Sequence, residues 1–216
     1  MAAVPMKAQY GPTLGQLLAP RWRAAARPTR WALILGAVSV LAVLVAAGLT
    51  LENASYSHGG RLPFSFSYRG LYHATPATGE YVSLKRLSPG GRLEDSFAVE
   101  PLRLPPYAGR VSGELPLYAA GYIQTLKARF PDFELRAEGK SNINVQTAYD
   151  IYFTTRTDGQ TDFGRVVLYM PSPAGVREGV AIVMLTSMHP RYPLNQPPEV
   201  AATGLLARPL RSFSFG

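Results

Sequence analysis

From Trp31 to Leu51 the chain runs WALILGAVSVLAVLVAAGLTL, with no charged residue and only Ser39 and Thr50 carrying polar side chains. As a helix this run would be about 31 Å long, close to the hydrocarbon thickness of a bilayer. It lacks the polar stripe that a helix on a soluble core keeps. Its 11 Leu, Ile and Val residues favour insertion by roughly 3 to 6 kcal/mol. The pattern predicts a single transmembrane helix over 31–51, preceded by a proline-containing tail over 1–30. Val45-Ala46-Ala47 also offers the small residues a signal peptidase accepts, so a secreted domain released by cleavage near Ala47 is the competing reading.

Residues 52–61, ENASYSHGGR, read as a short stalk, and from Leu62 to Gly216 the pattern is that of a folded domain. Phe64, Phe66 and Tyr68 alternate with serines over 63–68, which predicts a strand with three aromatics on one face. Residues 81–87 and 93–99 flank Ser88-Pro89-Gly90-Gly91 and predict a hairpin. The Pro- and Gly-rich stretch 100–113 reads as a loop. A helix follows over 116–130, where Leu115, Ala119, Tyr122, Leu126 and Phe130 recur at steps of three and four and Pro131 ends it. Three strands then alternate or run apolar, from Phe133 to Glu138, from Val145 to Thr157 and from Gly164 to Met170. Their short connections imply an antiparallel meander. Residues 179–185, GVAIVML, are apolar on both faces and belong at the centre of a sheet covered on both sides. The chain closes with a predicted short helix over 198–207 and an extended end over 210–215. The fold class is α+β, an antiparallel sheet with helices packed on it.

Charge changes the picture at the N-terminus. Lys7, Arg21, Arg23, Arg27 and Arg30 stand without an acid in residues 1–30, whereas residues 52–216 hold 17 basic and 14 acidic residues. Most of the chain's net charge of +8 thus lies just before the apolar run. Under the positive-inside rule the tail stays in the cytoplasm and the domain is outside. A balance of +3 over the domain is not the footprint of a nucleic-acid binder, and no nucleic-acid partner is expected. Arg at 18 copies against Lys at 4 points to a GC-rich bacterial genome. Zero Cys removes disulfide scaffolds, thiol nucleophiles, Cys-ligated metals and a lipidated-Cys anchor.

No phosphate loop, nucleophile elbow, S-x-x-K or HExxH pattern occurs, and His58, His73 and His189 stand apart in the sequence. No catalytic residue, cofactor or metal is therefore expected. The most distinctive polar stretch is Thr186 to Pro198, TSMHPRYPLNQPP, whose proline spacing suits an extended segment that a partner can read. His189, Arg191 and Tyr192 are its candidate partner-binding residues. Arg103 and Tyr107 are weaker candidates in the 101–113 loop. The expected partners are the bilayer, through 31–51, and a protein of the membrane or envelope.

The Phe-rich opening strand PFSFSY, a mid-domain helix, three consecutive strands and an ending in Ser212-Phe213-Ser214-Phe215 make residues 62–216 resemble the PsbP-like family of extracytoplasmic α/β sandwiches. Two features depart from that pattern. Arg69-Gly70-Leu71 stands where the family often has Pro-x-Gly-Trp, and an apolar span stands where its lipoproteins carry Cys. The resemblance implies a membrane-anchored binding or assembly module of the cell envelope without chemistry of its own, and no ligand residue carries over. The competing function is an envelope hydrolase whose site is assembled from distant residues.

Overall fold

A computed structural model of the protein describes the backbone of residues 27–50 and residues 54–75, 78–106, 108–157, 159–171, 177–187 and 199–216. The chain divides into two compact units, Met1–Thr50 and Leu51–Gly216.

In the first unit, helix α1 spans Arg27–Thr50. Its described side chains include Leu35, Leu41, Val43 and Leu44, all more than 60% exposed. Among the described residues no helix is long and apolar enough to cross a membrane.

The second unit is built on a seven-stranded antiparallel sheet of order β3-β4-β5-β9-β8-β7-β6. Its strands are β3 His73–Thr75, β4 Val82–Leu87, β5 Leu93–Arg103, β6 Glu134–Ile143, β7 Gln146–Thr157, β8 Gln160–Tyr169 and β9 Glu178–Ser187. A smaller antiparallel sheet joins β1 Ala54–His58, β2 Phe64–Tyr68 and β10 Ser214–Phe215 in the order β1-β2-β10. Two helices, α2 Val111–Arg129 and α3 Ala207–Ser212, complete the unit.

Alternation along the strands sends successive side chains to opposite faces of the large sheet. On one face Ile151, Phe153, Val166, Leu168 and Val183 meet Leu115, Ala119, Ile123 and Leu126 of α2. On the other, Phe97, Val99, Val167, Tyr169 and Ile182 meet Phe64, Phe66, Leu210 and Phe213 from the small sheet and α3. β9 is the middle strand and is buried over Gly179–Leu185, as its two-faced apolar run requires. The β6-β7-β8 meander also forms as expected. Gly164 faces Phe153 across the β7–β8 ladder, and any Cβ at 164 would overlap the Phe153 ring.

Elsewhere the elements shift. Ala54–His58, within the expected stalk, is strand β1, and its Tyr56 donates a hydrogen bond to the Tyr81 carbonyl at 2.9 Å. β5 continues through Pro101 into the expected 100–113 loop. The Val99 carbonyl accepts from Tyr81 N–H, so the backbone groups of residues 99 and 101 face β4. Because β4 begins at Val82, the missing N–H of Pro101 leaves no ladder bond unmade there. α2 starts at Val111, ahead of Pro116. Of the expected helix over 198–207, the described residues 199–206 form no α-helix: Ala201 and Gly204 adopt φ of +60° and +75°, which interrupts helical turns. The helix lies at Ala207–Ser212 instead, with Pro209 in its first turn, where no intrahelical N–H bond is lost.

The β6–β7 turn places Asn144 and Val145 at φ of +48° and +71°, a two-residue turn with both central residues left-handed. Asn tolerates this; a β-branched residue is strained there. Val145 is 99% exposed, so no packing depends on its side chain. Val145→Gly is expected to stabilise the domain by about 0.5–1 kcal/mol, the relieved strain exceeding the added freedom of the unfolded chain. A higher urea midpoint at unchanged slope is the confirming result, and an unchanged or lower midpoint refutes it.

Candidate functional site

Arg86, Asp95 and Thr186 are register partners on three adjoining strands, β4, β5 and β9, so their side chains meet on one face. Asp95 lies on the same face as Phe97 and Val99, at the end of the aromatic core. Arg86 Nε donates to Asp95 Oδ2 at 2.8 Å, a second guanidinium nitrogen pairs with Asp95 and a third reaches Glu94. Thr186 Oγ1 donates to the remaining Asp95 oxygen at 2.6 Å. Asp95 is thus buried with both oxygens bonded. Burial works against the Arg86 charge, and the Asp95 and Glu94 carboxylates more than restore it, holding its pKa above the ordinary value. Nearby, the buried Tyr72 hydroxyl has no hydrogen-bond partner among the described residues. Burial, reinforced by Asp95 and partly offset by Arg86, pushes its phenol well above the usual range.

Arg86, Glu94, Asp95 and Thr186 line a half-open cavity of about 1120 Å³, slightly larger than most small-molecule sites. The rest of the lining comes from residues 199–201 and 203–207, with Arg208, Arg211 and Ser212 of α3 and Arg69 just beyond β2. Local bonds fix these segments. Ser212 Oγ accepts from Ser67 N–H at 2.9 Å, tying α3 to β2. The Asn144 amide donates to the carbonyls of Arg211 and Phe213, at 3.3 and 2.6 Å. Arg165, paired with Asp150 at 2.9 Å, donates to the Val200 carbonyl at 3.2 Å.

The charges around the opening are unevenly partnered. Glu94 and Asp95 share Arg86, and Glu199 is also engaged. Arg69, Arg208 and Arg211 form no ion pair with a carboxylate among the described residues, although Arg211 donates to the Ala202 carbonyl. Such an arrangement can hold an anion by charge-assisted hydrogen bonds. The hydroxyl–carboxylate contact in it, Thr186 with Asp95, has its carboxylate already engaged by Arg86.

The expected partner-binding residues His189, Arg191 and Tyr192 lie outside the described residues, but Ser187 and Glu199, which bound that stretch, both line the cavity. Arg103 pairs with Glu178 at 3.4 Å, and Tyr107 is outside the described residues. His58 stacks on Phe64 with ring centroids 5.0 Å apart and packs on Tyr81, while His73 sits opposite Lys85 on β3. Among the described residues no three His, Asp or Glu side chains converge to hold a metal ion. Arg69, Arg86, Arg208 and Arg211 escaped the sequence reading. One signal was present: residues 200–216 hold Arg208 and Arg211 and no acidic residue.

No family model matches this sequence, and no curated protein matches it. Among solved structures, the solution structure of cyanobacterial PsbP (CyanoP) from Synechocystis sp. PCC 6803 is similar, with a TM-score of 0.50 and 14% identity over 77% of this chain and 94% of that one. LpqN, involved in cell envelope biogenesis of Mycobacterium tuberculosis, aligns with a TM-score of 0.45 and 10% identity over 76% of this chain and 91% of that one. A protein of unknown function from Pseudomonas aeruginosa, PA94, aligns at 0.36 and 17% over 63% and 83%. The layered antiparallel sheets with helices on both sides are the PsbP-like α/β sandwich fold that the sequence resembles.

Proposed function

We propose that the chain is a membrane-anchored binding or assembly module of a bacterial cell envelope, held by residues 31–51, with its N-terminus in the cytoplasm and its sandwich domain outside. The observation that carries this reading is the uncovered apolar surface of α1. Leu35, Val38, Val40, Leu41, Val43 and Leu44 point around the helix, and each is more than half exposed. Removing such side chains from water is worth roughly 1.5–3 kcal/mol apiece, and lipid provides the cover. The arginines before α1 orient it. The half-open cavity, lined by arginines without carboxylate partners among the described residues, supports a binding role. A sandwich fold by itself specifies no ligand.

Expression of the full chain with a C-terminal epitope tests the anchor. The tag should sediment with membranes, resist carbonate extraction and be removed by protease added to intact spheroplasts. Digestion only after lysis would reverse the topology. A soluble mature protein beginning near Gly48 would replace the anchor by a cleaved signal peptide.

A further inference from the structure

We infer that the cavity between the β4–β5–β9 wall and α3 binds a phosphate-bearing ligand through Arg69, Arg208 and Arg211. The inference deepens the binding-module reading and rests on it.

Arg208 and Arg211 are three residues apart on α3 and therefore project to the same side, while the Ser212–Ser67 bond holds α3 beside the end of β2 that carries Arg69. Three like charges around one opening repel each other, and no carboxylate among the described residues pairs with any of them. The acids that share the cavity are already occupied. Asp95 accepts from Arg86 and Thr186, and Glu94 from Arg86. Arg208 is half-buried and has no carboxylate partner among the described residues. Guanidinium forks match the oxygens of carboxylate and phosphate alike. Three of them suit the greater charge and larger oxygen count of a phosphate. A cavity of about 1120 Å³ leaves room for an organic group behind the phosphate, with Leu205 at its side.

The phosphate could belong to a soluble ester or to a lipid headgroup, and one experiment separates the two. The full chain is reconstituted in phosphatidylcholine nanodiscs and titrated with inorganic phosphate, then with glycerol phosphate, at constant ionic strength against chloride. Amide hydrogen exchange of residues 199–212 is the readout. Phosphate should slow that exchange, and Arg208→Gln/Arg211→Gln should weaken the effect at least tenfold. Should the double variant melt several degrees lower, Arg69→Gln serves in its place, since the exposed Arg69 side chain makes no bond that the fold needs. Protection by glycerol phosphate identifies a soluble ester; the same protection in phosphatidylglycerol nanodiscs without added phosphate identifies a headgroup. Equal protection by chloride, or binding unaltered by the substitutions, overturns the inference. Either result leaves the carbonate and protease assays of the anchor untouched.

Discussion

Phe213→Ala is expected to destabilise the domain by about 3–5 kcal/mol, the range for a fully buried ring, and for a unit of this size to lower Tm by roughly 10 °C. Phe213 is 0% exposed at the C-terminal end of α3. Its ring stacks on Phe64 at 5.1 Å and Phe66 at 5.8 Å and meets Tyr169 edge-on at 5.6 Å. It therefore joins three elements: the small sheet, α3 and the face of the large sheet. Aromatic pairs add about 0.5–1.5 kcal/mol beyond area burial, which places the expected loss toward the top of the range. Both Trp residues precede the domain, so near-ultraviolet tyrosine signals report its unfolding. Phe213→Leu should recover more than half of the loss, because it keeps most of the volume. A loss below 1 kcal/mol for the alanine variant would show that the small sheet closes over the cavity, and the role given to Phe213 would fall.

That dependence explains what the sequence makes legible. Strands whose two faces differ sharply, such as β2 with Phe64 and Phe66, or whose both faces are apolar, such as β9, announce themselves by periodicity. β1 does not: Ala54-Ser55-Tyr56-Ser57-His58 carries little apolar bulk, and its strand character comes from pairing with β2, over 54–68, and from Tyr56 reaching Tyr81. The terminal helix lies later than its pattern predicts, because the first turn accepts Pro209 and the left-handed Ala201 and Gly204 interrupt helical turns before it. The cavity was invisible for a related reason. Arg69, Arg86, Arg208 and Arg211 are far apart in the chain, and nothing in their spacing reveals that strand register and the Ser212–Ser67 bond bring them to one opening.

Arg86→Met should cost about 2–4 kcal/mol and also weaken phosphate binding. Breaking a fully enclosed ion pair costs about 3–5 kcal/mol because the surviving charge is left unpaired. The expected loss is lower here, because the Arg86 side chain is 26% exposed and water can partly solvate the vacated site. The survivors are Glu94 and Asp95, with side chains 16% and 8% exposed. Thr186 can still donate to Asp95, but it supplies no charge. Two uncompensated carboxylates would then share the cavity with Arg69, Arg208 and Arg211 and compete with any anion there. If this is right, Arg86→Met and Asp95→Asn are not additive: the double variant should be more stable than the sum of the single losses implies, and it should regain part of the phosphate affinity. Urea unfolding of the three variants measures the first effect, and exchange protection of residues 199–212 in phosphate measures the second. Additive losses with unchanged phosphate protection would mean that the cluster is a structural staple alone, electrically separate from those arginines.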